Sequence, residues 1–491
     1  MEIRTRFAPS PTGYLHVGGL RTALYSYCFA KKNNGKFILR IEDTDQKRYV
    51  EGAIESLLRS LYWAGLVPDE GVSFDDRQNI IQKGDCGGSF KQSERLDIYR
   101  RHADELLENG HAYHCFCTEE RLEEMRRFQE LNKLPTGYDG QCSHLDPVEA
   151  KKRASAGEKN VIRMKMPKEG KTAFNDLVRG DVEFQNALID DQVLVKADGF
   201  PTYHLAVVVD DHYMNVTHII RGEEWLSSVP KHLQLYKYFG WETPLMAHIP
   251  LILNPDKSKL SKRQGDVAVE DYIKKGYLKE AIINFIAFLG WNPGDDRELF
   301  TLEELVNEFT LEKVGKSGAV FNLEKLDWFN REYMKKKSIE ELADLALPFF
   351  GENEQKIFDQ EQFVKIIGLE KERVTTLAEL PEALKFVFKL PKYEKDMLVW
   401  KKSTSDELVK VLPALNDYLN TISVQDWTKE KLEIQIGEWV KEKGYSVGSV
   451  MWPLRVALSG QEKSPGPFEI ADALGKDESL KRVAKALSFM V

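Results

Sequence analysis

The run Ile3-Arg4-Thr5-Arg6-Phe7-Ala8-Pro9-Ser10-Pro11-Thr12-Gly13-Tyr14-Leu15-His16-Val17-Gly18-Gly19 decides the fold class. Ile3, Thr5 and Phe7 alternate with Arg4 and Arg6, which is the two-residue period of a strand. Pro9, Pro11 and Gly13 stop it. From residue 17 to residue 32 the apolar positions Leu20, Leu24 and Cys28 recur on one helix face. Asn33-Asn34-Gly35 ends that helix, and residues 37–41 read as a second strand. Strand, helix and strand in so short a span predict parallel strands joined by a right-handed crossover. Ile54, Leu57, Leu58 and Leu61 predict the next helix, closed by Gly65.

Downstream the rhythm changes. Residues from about 95 to 200 carry clustered metal-ligand types and little strand–helix alternation, and read as an insertion. Strand-like signal returns at residues 203–209 and again around Ile219, Ile249 and Leu251, so the nucleotide fold is expected to be split around the insertion. Beyond about residue 325 the pattern is helical. Ser338-Ile339-Glu340-Glu341 is a capping-box pattern, and Leu408, Val411, Leu412, Leu415 and Leu419 keep helical spacing. No 20–50-residue repeat and no low-complexity tract interrupts the chain.

Composition agrees. At roughly 150 residues per domain, 491 residues suggest about three domains. Hydrophobic residues at 42% can build real cores, which excludes a disordered tail. Mean hydropathy is −0.42, and no apolar run approaches the ~18 residues of a membrane span. The most apolar stretch, residues 281–291, is short and broken by Asn284. The first residues lack the apolar core of a secretory signal, and five cysteines make no disulfide scaffold, so a reducing cytoplasmic location is expected. The net charge of −9 argues against a uniformly basic nucleic-acid coat but leaves room for a local basic patch. Residues 331–491 hold 25 basic against 27 acidic side chains, so most of the deficit lies upstream.

The junction at residues 9–19 is an anion site on physical grounds, because a helix start offers free N–H groups and a positive dipole end. Gly18 and Gly19 let a bulky ligand approach the backbone, and His16 can donate to a phosphate oxygen. A capped loop with an incidental histidine is the plain alternative. The Walker-type phosphate loop is absent. A second element lies about 240 residues on: Lys259-Leu260-Ser261-Lys262-Arg263, in a turn-rich segment with Asn254, Pro255 and Gly265. Two lysines converging on a polyphosphate would stabilise charge that develops during attack at phosphorus.

These two elements resemble the HIGH and KMSKS signatures of class I aminoacyl-tRNA synthetases. Gly19 stands at the final histidine of the first signature, a form glutamyl enzymes commonly show. The segments Arg6 to Gly13, Arg40-Ile41-Glu42-Asp43-Thr44-Asp45, Pro201-Thr202-Tyr203-His204, Val209-Asp210-Asp211-His212 and Ile220-Arg221-Gly222-Glu223-Glu224 are similar to those of bacterial-type glutamyl-tRNA synthetases. Met451-Trp452-Pro453-Leu454-Arg455 and Gly466-Pro467-Phe468-Glu469-Ile470 carry the resemblance to the end of the chain.

The resemblance implies an α/β Rossmann-type class I catalytic domain split over residues 1–95 and 200–250. It further implies an inserted α+β acceptor-stem-binding domain at 96–199, a KMSKS-like loop with stem-contact helices at 251–325, and an all-helical anticodon-binding region at 326–491. The implied reaction is ATP-dependent activation of L-glutamate and its transfer to tRNA(Glu), with Mg²⁺ on the ATP. A nondiscriminating form that also charges tRNA(Gln) is the runner-up. A monomer is expected, with no membrane partner. A paralogue that glutamylates a modified base should lack the helical half, and a glutaminyl enzyme should carry a β-barrel there. A noncatalytic RNA-binding or scaffold protein is the alternative of another class.

Glutamate presents two carboxylates and an ammonium group, which call for guanidinium forks and an acid. By resemblance Arg6 and Arg221 take the side-chain carboxylate and Glu42 the amino group, with Ala8, Ser10 and Tyr203 lining the pocket. A buried fork facing neutral glutamine would be uncompensated, enough for discrimination of ~10⁴. His16, Lys259 and Lys262 are the candidate catalytic residues. His16, Gly18, Gly19, Glu224, Trp225, Lys259, Leu260, Ser261 and Lys262 are the candidate ATP-binding set, although Trp225 reads equally as core packing. Asp43 and Asp45 suit either Mg²⁺ or, for Asp45 by preference, a helix cap. Asp210 and Asp211 either position the tRNA acceptor end or terminate a strand.

Cys115-Phe116-Cys117 and Cys142-Ser143-His144 are two ligand pairs 24 residues apart, bridged by a predicted helix over 118–131. Three thiolates and an imidazole suit tetrahedral Zn²⁺, and four protein ligands would make it structural. Reduced, unligated side chains are the alternative, and His114 is a competing ligand. Cys28 reads as helix core and Cys86 as a bystander. In the helical half, Arg373 is by resemblance the arginine that reads the third anticodon base, and an arginine can contact a base edge bidentately; a plain surface arginine is the alternative.

Overall fold

The computed structural model describes residues 2–260 and 268–490. β1 (Arg4–Phe7), α1 (Val17–Lys32) and β2 (Lys36–Leu39) stand where the periodicity predicts them. β1 and β2 are parallel, with Arg6 opposite Ile38 and Phe7 opposite Leu39. Leu20, Leu24 and Cys28 of α1 are buried. α2 (Ala53–Trp63) leads to Gly65 at φ +78, a left-handed position that favours glycine. β3 (Glu70–Phe74) pairs with β2, and a Cβ on its Gly71 would collide with the Leu39 carbonyl, so only glycine permits that approach. β4 (Ile80–Lys83) returns antiparallel to β3.

After α3 (Leu96–Glu108) come β5 (Ala112–Cys115), α4 (Glu119–Leu131), α5 (Pro147–Ser155) and β6 (Val161–Met164). β7 (Lys171–Asp176) and β8 (Gly180–Gln185) form a hairpin, and β9 (Val193–Val195) follows. β5, β6 and β9 make a separate antiparallel sheet, whereas the β7–β8 hairpin joins the edge of the main sheet. Residues 96–199 are therefore shared between two sheets.

α6 (Tyr203–Tyr213) overturns the strand expected at 203–209. Leu205, Ala206, Val207, Val208 and Val209 are all buried. A helix covered on every side shows the same unbroken apolar run as a buried strand. β10 (His218–Gly222), α7 (Val229–Phe239) and β11 (Leu245–Ile249) complete the main sheet, in the order β4-β3-β2-β1-β10-β11-β7-β8. Its six middle strands, β3 to β7 in that order, pair in parallel, so their C-terminal ends share one edge, where such sheets bind ligands.

This unit comprises residues 1–271 and 282–323; a second compact unit comprises 272–281 and 324–491. The second is helical. Ser338 and Glu341 form the expected capping box, with Ser338 Oγ accepting from Glu341 N at 3.1 Å and Glu341 Oε2 accepting from Ser338 N at 2.9 Å. Leu408, Val411, Leu412, Leu415 and Leu419 are buried along one helix, Ser405–Thr421. The guanidinium of Arg482, itself buried, donates to the carbonyls of Phe386 (2.9 Å), Leu458 (2.7 Å) and Val387 (2.7 Å), so one side chain satisfies three carbonyls of two other segments. No helix among the described residues is long and apolar enough to cross a membrane.

Candidate active site

A cavity of about 900 Å³ opens where β1 and β10 end and α1 begins. Arg6, Ala8, Ser10, His16, Gly18, Gly19, Glu42, Tyr203, Arg221, Glu224, Trp225, Lys259 and Leu260 all line it. Positions scattered over 250 residues of sequence thus share one wall. Ser261 and Lys262 lie outside the described residues.

His16 is the N-cap of α1. Its backbone is extended (φ −93, ψ 160), and its Nδ1 accepts from Gly19 N at 3.0 Å. An Nδ1 that accepts leaves the ring proton of the neutral imidazole on Nε2, so the exposed ring is a donor on that side. The first turn of α1 holds no acidic residue, so no carboxylate of its own opposes an anion at the N–H groups that His16 leaves uncapped. A Cβ on Gly18 would stand 3.1 Å from His16 Nδ1. Opposite, residues 254–258 form a tight turn in which Asn254 N donates to Ser258 O at 2.8 Å, and exposed Lys259 follows it at the cavity.

Arg6 and Glu42 belong to a buried charge network that the sequence reading did not foresee. Arg6 Nε donates to Asp211 Oδ1 at 3.2 Å. Arg40, fully buried, donates to Asp211 Oδ1 at 2.7 Å and Glu42 Oε1 at 3.0 Å, with Asp210 Oδ2 at 3.8 Å. Asp210 in turn accepts from Arg95 Nε at 2.7 Å and Tyr99 Oη at 2.8 Å. Three guanidinium groups thus balance three carboxylates. Burial opposes the charge on Asp211, yet Arg6 and Arg40 hold its carboxyl below the usual range. Glu42 goes the other way: burial pushes its pKa up, against the pull of Arg40 and Arg6. An ammonium group brought to Glu42 would relieve that burial penalty.

The network corrects the reading of Asp210 and Asp211. They neither end a strand nor face the cavity; they lie inside α6 as buried partners of arginines from β1, the end of β2 and the start of α3. Asp45 is corrected too. It precedes a short 3₁₀ turn without capping it and pairs with Arg48 at 2.6 Å on the surface. Asp43 accepts from Ser93 N (2.8 Å) and Ser93 Oγ (2.6 Å). Trp225 is 38% exposed, with its ring 4.4 Å from that of Tyr203, so it is a cavity wall and not core packing.

The cysteine pairs converge. Sγ atoms of Cys115, Cys117 and Cys142 lie within 4.8 Å of one another. Cys115 ends β5, and Cys117 follows two positions later in the loop that leads to α4. His144, expected as the fourth ligand, is exposed and outside the cluster. It follows Cys142 by two positions in a 3₁₀ turn (Gln141–His144), and at three residues per turn such neighbours point apart. The phenol of Tyr138 takes the place beside the thiols: Oη is 3.4 Å from Cys115 Sγ, 3.4 Å from Cys117 Sγ and 2.9 Å from Cys142 N. Arg163 lies 3.9 Å over the Tyr138 ring, and Arg121 Nη1 is 3.5 Å from Cys117 Sγ. His114, the competing ligand, instead meets Asn160 Oδ1 at 2.9 Å. Cys28 is buried in α1, and buried Cys86 is 3.2 Å from the carbonyl of Gly88.

With this geometry in view, the model of the class I tRNA synthetase (E and Q) catalytic domain matches residues 2–328, and an anticodon-binding-domain model matches residues 341–487. A glutamate–tRNA ligase from Chlorobium chlorochromatii is 46% identical over 506 aligned residues, covering 99% of this chain and 98% of that protein. The chain belongs to the glutamate–tRNA ligase family. Another family member, from Clostridioides difficile, is 46% identical over 99% of both chains. The crystal structure of a glutamate–tRNA ligase from Elizabethkingia meningosepticum in complex with its amino acid superposes with a TM-score of 0.87, at 39% identity over all of both chains. Within the family's anticodon-binding segment, Arg373 is exposed and its Nη1 is 3.3 Å from Glu370 Oε1.

Proposed function

We propose that this chain is an ATP-dependent glutamate–tRNA ligase acting through the cavity at the ends of β1 and β10. The observation that carries the reading is that two guanidinium groups, a buried carboxylate and a capped helix N-terminus face one space. Arg6 and Arg221 form the fork for the side-chain carboxylate, and Glu42 takes the ammonium group. That leaves the α-carboxylate directed towards the start of α1, where His16 and Lys259 meet the triphosphate. The α-carboxylate oxygen attacks the α-phosphorus, and pyrophosphate leaves. His16 Nε2–H and the Lys259 ammonium stabilise the charge that grows on the phosphate oxygens. Mg²⁺ on the ATP phosphates supplies further neutralisation. The terminal ribose hydroxyl of tRNA then attacks the mixed anhydride, and AMP departs. No protein nucleophile takes part. Arg373 is offered as a base-edge contact in the anticodon segment.

Charging of labelled glutamate onto tRNA(Glu) and tRNA(Gln), side by side, tests this. Product on tRNA(Glu) alone is the expected result. Product on both identifies a nondiscriminating ligase, and product on neither by folded protein with ATP overturns the reading.

The thiol cluster fits zinc. With Zn–S near 2.3 Å, the edges of a tetrahedral thiolate–phenolate site run about 3.5–3.8 Å. Cys117 and Cys142 Sγ stand 3.5 Å apart, and the phenol oxygen 3.4 Å from two sulfurs. Cys115, Cys117, Cys142 and Tyr138 would hold the metal, and the flanking Arg121 and Arg163 suit the excess negative charge of such a set. With four protein donors its role is structural. Metal analysis of purified protein should find stoichiometric zinc that His144→Ala retains and Tyr138→Phe loses. The reverse pattern would return the fourth position to His144.

A further inference from the structure

Arg6 and Arg221 share the cavity but are held by opposite chemistry. Arg6 rests on the carboxylate of Asp211. The hydrogen-bond partners of Arg221 are all neutral acceptors: Nε donates to His248 Nε2 at 3.0 Å, Nη1 to Tyr203 Oη at 2.8 Å with His232 Nδ1 at 3.5 Å, and Nη2 to the Trp225 carbonyl at 3.4 Å. Guanidinium has donors only, so His248 Nε2 must present a lone pair. Its proton therefore sits on Nδ1, which lies 2.6 Å from Asp176 Oδ2. The other oxygen of Asp176 is already committed, accepting from Val178 N (3.0 Å), Arg179 N (2.9 Å) and His248 N (3.2 Å). The carboxylate thus cannot turn, and it meets the ring with an acceptor.

Sheet register builds the row. Arg221 on β10 pairs with His248 on β11, and Asp176 on β7 pairs with Met246, two residues before His248 on the same face. Asp176 and His248 are completely buried at the side chain and do not line the cavity. Burial also keeps the imidazole below its ordinary pKa, against the pull of Asp176.

We infer that Asp176 and His248 are positioning residues for Arg221: Asp176 selects the tautomer in which His248 accepts from Arg221 Nε, which aims the guanidinium into the cavity while leaving its charge undiminished for the substrate's side-chain carboxylate. The substrate part of this inference rests on the glutamate reading above; the tautomer part does not.

Asp176→Asn is the discriminating variant. Its Oδ1 must stay with the three backbone N–H groups, because an amide NH₂ cannot accept. The NH₂ then faces His248 Nδ1, which has to become the acceptor. The ring proton moves to Nε2 and points at Arg221 Nε–H. The expected result is a loss in kcat/KM for glutamate on the order of 10–100-fold, the range in which outer partners of ligating imidazoles act. KM for glutamate should carry it, with KM for ATP unchanged. In a His248→Leu background, where no ring nitrogen is left for residue 176 to set, Asp176→Asn should cost little more. An equal loss in both backgrounds overturns the inference, since Asp176 would then act only through the turn it closes.

Ring ¹⁵N shifts of labelled histidine, assigned by the signal missing from His248→Gln, read the tautomer directly. Nδ1–H in the wild type and Nε2–H in Asp176→Asn are expected; Nε2–H in the wild type overturns the inference. If Asp176→Asn does not fold, the comparison moves to His248. His248→Gln must then retain a lower glutamate KM than His248→Leu, and equal values overturn the inference. A wild type with the Nδ1–H tautomer that charges no glutamate would instead sink the substrate reading and leave the pair standing.

Discussion

Arg221→Ala is expected to abolish most glutamate activation at nearly wild-type stability. Truncating one side of a desolvated charge pair costs about 2–5 kcal/mol, or about 30-fold to several thousand-fold in kcat/KM. The folded state keeps most of its stability, because the partners left behind are a phenol, two imidazoles and a peptide carbonyl, all neutral, and Tyr203 and Trp225 among them line the open cavity. Arg6→Ala would remove the matching half of the proposed fork and should cost a similar factor in activity. It also strips Asp211 of one of its two guanidinium partners, so it unfolds earlier as well. Initial rates with glutamate varied, alongside thermal unfolding, separate the two. Wild-type glutamate KM in Arg221→Ala would remove it from the pocket, and identical losses of Tm in both variants would contradict the difference in their surroundings.

The largest effect on stability is expected from Arg40→Met. Methionine approximates the buried stem but leaves Glu42 and Asp211 without their shared cation, and breaking a buried ion pair from one side costs about 3–5 kcal/mol. That corresponds to a fall in Tm of roughly 5–8 °C for a unit of about 300 residues. Arg40→Met with Asp211→Asn should recover part of it, because the second change removes one uncompensated charge. The pH dependence follows from the directions of the two pKa shifts. Asp211 is held low, so its stabilisation is complete above the ordinary carboxylate range and is lost as pH falls through that range towards its lowered value. Glu42, pushed up by burial, works in the opposite sense and gains as pH falls. Arg40→Met should therefore lose less stability on acidification than the wild type, as read from melts across the acid limb. A melt unchanged by Arg40→Met, or a parallel acid profile, would show that the network adds nothing.

Local elements were legible because their causes are local. The alternation at Ile3, Thr5 and Phe7, the i, i+4, i+8 face of Leu20, Leu24 and Cys28, and the stops at residues 9–13 and 33–35 needed no distant partner, and β1, α1 and β2 follow them. The same holds for the capping box at Ser338 and the apolar face at Leu408 to Leu419. Residues 203–209 failed for a physical reason: burial on all sides erases the period that separates helix from strand.

The cavity was legible as a list of residue types, since carboxylate and phosphate recognition restricts which side chains can serve. What holds those residues was not. Arg40 finds Asp211 across 171 positions and Arg6 finds it across 205, and the row Asp176–His248–Arg221 exists only where β7, β11 and β10 lie side by side. Likewise the spacing of Cys142 and His144 promised a ligand pair that a 3₁₀ turn separates, and Tyr138 takes its place beside the thiols. The sequence by itself determined the secondary elements whose period is local, the family signatures and the side chains available at the cavity. Only the tertiary structure decided which charge faces which and which ring nitrogen carries the proton, because those depend on distances of a few ångströms between segments that chain order leaves unconstrained.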